Sequence, residues 1–180
     1  MFATPDELRR AAWQHMARGV ADRRHPARHP TLGTIGADGP QLRTVVLRGW
    51  DPAGIAEIHT DSASAKTREI AEDPRVALHV WIPKQNLQMR LMATARMIHA
   101  DEERWGKIPP GAQIVYGGTP APGTPIDAPE MHSPGATITR FTALSLTVNR
   151  LDLVHLGEDL HRRVMVQRSK DGWSSEWVAP

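Results

Sequence analysis

The chain has 180 residues, 40% of them hydrophobic, with 22 Lys and Arg against 20 Asp and Glu, nine His and no cysteine. That is enough apolar material for one domain, expected over 1–180, to bury a core without staples, while the missing thiols exclude disulfides and thiolate metal sites. Charge is nearly balanced, with arginines in runs of two at most, which argues against a nucleic-acid binder. Apolar runs fall short of the ~20 residues that cross a bilayer, and the first residues lack a signal-type apolar core. The expectation is a cytoplasmic protein without nucleic-acid or membrane partners.

In chain order, Thr4-Pro5-Asp6-Glu7 reads as a capping box with proline at the first helical position. A helix should run from there to about Ala21, burying Leu8, Ala12, Met16 and Val20 at four-residue spacing, until the prolines of HPARHP at 25–30 stop it. The narrow apolar stripe fits a helix laid across a barrel or a partner subunit better than one lying on a membrane. Thr31 to Gly36 predicts a first strand, turned by Ala37-Asp38-Gly39-Pro40 into a second over Gln41 to Trp50. The glycines at 33, 36 and 39 have the wrong spacing for a dinucleotide fingerprint, and a strand follows them rather than a helix.

The informative stretch is Gln41 to Lys66. A β-branched run, Val45-Val46-Leu47, lies between Arg43 and Arg48; after a turn at 51–54 come a strand, Ile55 to Thr60, then Asp61, Ser62 and Ser64 as candidate helix caps before Lys66. Two strands and a helix N-terminus thereby bring two arginines, a lysine, hydroxyls and free N–H groups together, which outlines a phosphate site. Arg43 and Arg48 are an odd number of residues apart, so regular alternation would put them on opposite faces unless a bulge intervenes.

A helix over Ser64 to Glu72 should end before Pro74 and lead into a strand from Arg75 to Ile82, with a hairpin partner from Leu87 to Ile98. There Gln88, Arg90, Thr94 and Arg96 share one face, and Leu87, Met89, Leu91, Ala93 and Met97 the other. After a short helix from Asp101, residues 109–136 hold seven of the 15 prolines and five glycines, a long irregular loop of the kind that forms a functional lid or orders against a partner, disorder being the alternative. Phe141 to Leu156 and His161 to Arg168 predict a final long hairpin. His25 and His29 are separated by Pro26, and no H-E-x-x-H or G-x-S-x-G pattern occurs, so neither a metal nor a serine nucleophile is expected.

R-x-V-V-L-R at 43–48, His59-Thr60, S-x-K at 64–66, Asp73-Pro74, the strand ending at Trp81 and Q-x-R at 88–90 occur in the order found in the pyridoxamine 5′-phosphate oxidase family, and the chain resembles its FMN-binding branch. The likeness runs from about Leu32 to Ile98 and resumes at Leu160-His161-Arg162-Arg163 and at Trp173 to Pro180. It implies a mainly β protein: an FMN-binding split β-barrel of six to eight mostly antiparallel strands, the first helix packed across it, and a homodimer with FMN at the subunit interface. It implies FMN contacts from Arg43, Thr44, Val45, Val46, Leu47, Arg48, His59, Thr60, Ser64, Lys66, Gln88 and Arg163, with Arg43, Lys66, Thr60 and Ser64 on the phosphate, Arg48 at the ring end or substrate anion, and Gln88 and Arg163 near the ring. Three positions depart from the family pattern. Leu153 stands where the family has a flavin-stacking Trp, Arg162 replaces the Asp of H-D-R, and Ala65 the Arg before the lysine. The Tyr, Arg and Ser that clamp the substrate phosphate in the oxidases have no clear match, Tyr116 being the one tyrosine in the region. The implied function is FMN-dependent oxidation of a small molecule, flavin N5 accepting hydride and oxygen or another acceptor reoxidising it. The alternative is a flavin carrier or sensor without turnover.

Overall fold

A computed structural model describes residues 2–180. Helix α1, Pro5–Ala21, begins as expected: Thr4 Oγ1 accepts from Glu7 N at 3.3 Å and Glu7 Oε2 from Ala3 N at 2.7 Å. Leu8, Ala12 and Met16 are fully buried beneath it. Trp13 packs edge-on against Trp50 and Trp173, and its Nε1 donates to Pro52 O at 3.0 Å, which clamps the helix across the barrel.

After β1 (Thr31–Gly36) and β2 (Gly39–Thr44), the single strand expected over Gln41 to Trp50 is broken: Val45 and Val46 lie outside any strand, and β3 covers Leu47–Asp51. β2 pairs with β1, whereas β3 pairs with β4 (Ile55–Asp61), with a register shift between Leu47 and Gly49. The β-branched run that predicts a continuous strand is thus the point where the chain passes from one part of the sheet to another. α2 (Ala65–Glu72), β5 (Arg75–Ile82) and β6 (Leu87–His99) follow with the expected boundaries to within a residue.

α3 (Glu102–Gly106) and α4 (Pro110–Gln113) lead into the proline-rich segment, which is pinned rather than loose. β7 (Val115–Tyr116) pairs in parallel with β8 (Gly135–Ala136), and Thr119 bridges Ser133. Gly117, at φ +118°, turns the chain where a Cβ would meet Thr137 at 2.9 Å. β9 (Phe141–Leu156), β10 (His161–Ser169) and β11 (Gly172–Val178) complete the chain.

The main sheet holds nine strands rather than six to eight, because the expected second strand is two and the tail supplies β11. The 16-residue β9 organises it, pairing with β6 along one edge and with β4 and then β10 along the other. The order β2-β1-β5-β6-β9-β4-β3 returns to its start through the covalent step between β2 and β3, a split barrel with β10-β11 as an extension. Inward residues such as Leu32, Leu47, Ile58, Leu78, Met89, Leu91, Leu144 and Leu151 fill it and are shielded from solvent. On β6 the expected faces are observed: Gln88, Arg90, Thr94 and Arg96 point outward.

Candidate functional site

The step between β2 and β3 opens a cleft of about 390 Å³ lined by Arg43, Thr44, Val45, Val46, Arg48, His59, Thr60, Asp61, Ser64, Lys66 and, from the proline-rich segment, Val115, Tyr116 and Pro122. Breaking the strand resolves the alternation problem: with regular pairing lost at Val45-Val46, Arg43 and Arg48 both border one cavity. Ser64 occupies the N-cap of α2 without a side-chain bond to the helix; its Oγ stands 3.2 Å from Thr60 Oγ1, to which Lys66 Nζ donates at 2.9 Å. Burial pulls the Lys66 ammonium below its ordinary value, as does the nearby Arg43, while Glu69 and Asp61 oppose both. Arg43 is committed in part: its guanidinium donates to Glu69 at 2.7 Å, to Gln41 O at 3.3 Å and to Thr34.

Tyr116, 4% exposed, closes one side. Burial raises its phenol above the ordinary value against the opposing charge of Arg48. Its segment is anchored by buried Asp61, whose Oδ2 accepts from Gly117 N at 2.9 Å and Oδ1 from Arg140 Nε at 2.9 Å and Ala63 N at 2.8 Å. Neither Tyr116 nor the anchoring role of Asp61 is legible in the sequence, since the contact spans 56 positions between a strand end and an aperiodic loop.

A second compartment of about 380 Å³ adjoins the first through two shared residues, Arg48 and His59, and is lined also by Arg28, Glu57, Glu103, Arg104, Lys107, Ile108 and Pro109. Arg104 Nε donates to Glu57 at 2.9 Å, and Lys107 pairs with Glu103 at 2.6 Å. Arg28 and Arg48 have no carboxylate partner among the described residues. Burial, then Arg48, draws the Arg28 guanidinium below its usual range.

Three expected residues stand elsewhere. The Leu47 side chain is wholly inside the core, so only its backbone is available to a ligand. Gln88 and Arg163 lie on the outer face of β6 and β10, each opposite Val154, outside the cleft. Arg163 is held there by Asp152, 4% exposed, through bonds of 3.0 and 2.8 Å, and Arg90 pairs with the same carboxylate.

Residues 10–99 match the family described as pyridoxamine 5′-phosphate oxidase, FMN-binding domain. The chain belongs to this family. FMN is therefore its cofactor, and the cleft residues fit that group: cations and hydroxyls gathered at a helix N-terminus suit a phosphate, and the apolar Val45, Val46 and Val115 suit the remainder. The chain is 33% identical over 90 residues to a pyridoxine/pyridoxamine 5′-phosphate oxidase of Microcystis aeruginosa, covering 42% of that protein's length. An oxidase of the same description from Anaeromyxobacter dehalogenans is 27% identical over 194 residues, 99% of this chain and 97% of that one. Among solved structures, a pyridoxamine 5′-phosphate oxidase-related FMN-binding protein of Nostoc punctiforme superimposes with a TM-score of 0.77 at 26% identity, covering 96% of each chain. PhzG of Burkholderia lata, at 18% identity and a TM-score of 0.77 over 100% of this chain, shares the fold. No helix among the described residues is long and apolar enough to cross a membrane.

Proposed function

We propose that the protein is an FMN-dependent oxidoreductase acting on a small, singly charged anionic molecule. The observation that carries this reading is that two adjoining compartments share Arg48 and His59 in their lining. FMN, when bound, supplies a two-electron acceptor at its ring. Lys66, Thr60, Ser64 and Arg43 anchor the phosphate end, and Arg48 stands at the boundary where ring and substrate meet. In the neighbouring compartment Arg104 and Lys107 are already paired with carboxylates, so Arg28 and Arg48 remain to meet an incoming anion. Two half-free guanidiniums match a carboxylate better than a phosphate dianion, whose desolvation demands more donors.

The site is completed by a second protomer. Gln88 and Arg163 sit on an outer face away from the cleft, and a homodimer that lays this face over the partner's cleft gives the ring its polar contacts and a second dry wall.

Pyridoxamine or pyridoxine 5′-phosphate is accordingly a poor substrate. The test is pyridoxal 5′-phosphate formation and hydrogen peroxide release by the FMN-loaded protein. The expected result is slow or absent turnover; turnover matching a dedicated oxidase would show that Arg28, Arg48 and Arg104 suffice for the phosphate ester. A flavin that no hydride donor reduces would instead favour a carrier.

A further inference from the structure

One imidazole, that of His59, borders both compartments. Its position is fixed from two sides. Nε2 lies 2.8 Å from Glu57 Oε1, and the ring stands edge-on to Phe141 at 4.9 Å and 84°. The other oxygen of Glu57 accepts from Arg104 Nε at 2.9 Å, and Arg104 in turn reaches Asp101 at 3.1 Å.

The hydrogen bond from His59, aided by Arg104, holds the Glu57 carboxyl down to about 2 against the cost of burial, so it is ionised at neutral pH and only accepts. Nε2 therefore carries the hydrogen and Nδ1 the free lone pair. Nδ1 makes no hydrogen bond among the described residues, and it is not one of the buried polar atoms left without a partner, so it opens onto the compartments. The other charged or titratable groups lining them are Arg28, Arg48, Glu103, Arg104 and Lys107 on one side and Asp61, Lys66, Arg43 and Tyr116 on the other. Of all these, His59 alone carries an imidazole, whose ring nitrogen can accept a proton and return it.

We propose that His59 is a catalytic acid–base residue of this site, its Nδ1 exchanging a proton with the reacting molecules while Glu57, held by Arg104, fixes the tautomer. The proposal rests on the function given above. In the substrate a C–H bond would break with its electron pair, which FMN, when bound, would accept as hydride. The neighbouring N–H or O–H bond breaks with its proton going to Nδ1, and a C=N or C=O bond forms. The substrate loses two electrons and FMN gains two. When dioxygen is the oxidant, it takes those two electrons with the transferred hydrogen, and the proton returned by His59 completes hydrogen peroxide.

The test uses the FMN-loaded protein, reduced anaerobically with dithionite and mixed with air-saturated buffer, following the return of oxidised flavin absorbance. His59→Ala should slow this roughly a hundredfold or more at saturating FMN, the scale of general acid–base assistance, with free imidazole restoring most of the rate. His59→Gln, which keeps a donor for Glu57 but no transferable proton, should be equally slow and guards against misfolding of the alanine variant. A ¹⁵N spectrum of the histidine rings should show His59 bonded to hydrogen at Nε2 alone, and a mixture of tautomers in Glu57→Gln. Wild-type rates in both His59 variants, a loss that imidazole does not restore, or hydrogen resident on Nδ1 would overturn the proposal. Failure of the wild-type protein to bind FMN would instead sink the oxidoreductase reading, a result separable from these.

Discussion

Lys66 carries its ammonium into a half-buried position where Thr60 Oγ1 alone accepts from it, whereas Arg43 is already bound to Glu69 and Thr34. An anion arriving in the cleft therefore gains more from Lys66, whose charge is otherwise unneutralised at close range. A charge-assisted hydrogen bond contributes about 1.5–3 kcal/mol. Lys66→Ala should then weaken FMN binding roughly tenfold to a hundredfold. Arg43→Ala should weaken it less while lowering stability, since it strands the Glu69 carboxylate, 13% exposed at the side chain. Titration of the apoproteins with FMN, followed by quenching of flavin fluorescence, reads both, and an unchanged affinity in Lys66→Ala would remove it from the phosphate anchor. Sequence made these residues findable because chain neighbours on β4 and α2 supply Thr60, Ser64 and Lys66 within seven positions. Arg28, Arg104 and Tyr116 carry no such signal, as each reaches the site from a segment without periodicity.

At the scale of elements, capping chemistry and period-two alternation mark α1, β5, β6 and β9 almost to the residue, because each buries one regular face. The break after Thr44 is invisible to propensity: Val45 and Val46 favour a strand, and the barrel's closure overrides them. α1 also has a polar contact the hydrophobic stripe does not disclose. Ala27 N donates to His25 Nδ1 at 3.2 Å, so the hydrogen on His25 Nε2 points to His15 Nδ1 at 3.2 Å, and His15 Nε2 in turn to Gln85 Oε1 at 3.0 Å. Every bond in this chain needs neutral rings. Burial, followed by the neighbouring His15 and Arg18, lowers the His25 imidazole below its ordinary value of 6.5. The unfolded chain consequently binds more protons than the folded one below that value, so this contribution to stability is complete above pH 6.5 and is lost progressively as pH falls toward the lower folded midpoint. His25→Asn, which keeps an acceptor for Ala27 N, should flatten the decline in urea midpoint on acidification from about pH 7 to pH 5, the range in which imidazole titrates. An unaltered decline would place the acid sensitivity elsewhere.

For the whole molecule, the cleft at the β2–β3 step and the outer row of Gln88 and Arg163 on β6 and β10 do not meet within one chain. The homodimer proposed above would bring each against the other twice. Mixing Lys66→Ala protomers with Gln88→Ala protomers should then restore up to one intact site per heterodimer, seen as recovered high-affinity FMN binding at about a quarter of the wild-type number of sites when exchange is random. This fraction follows from closed two-fold symmetry. No recovery on subunit exchange would contradict a shared site. That the cleft holds FMN by its phosphate is tested most directly by comparing the affinity of the apoprotein for FMN and for riboflavin, which differ by that group alone. With at least two charge-assisted contacts at stake, FMN should bind about a hundredfold or more tightly. Equal affinity for the two flavins, or no saturable binding of FMN, would contradict it.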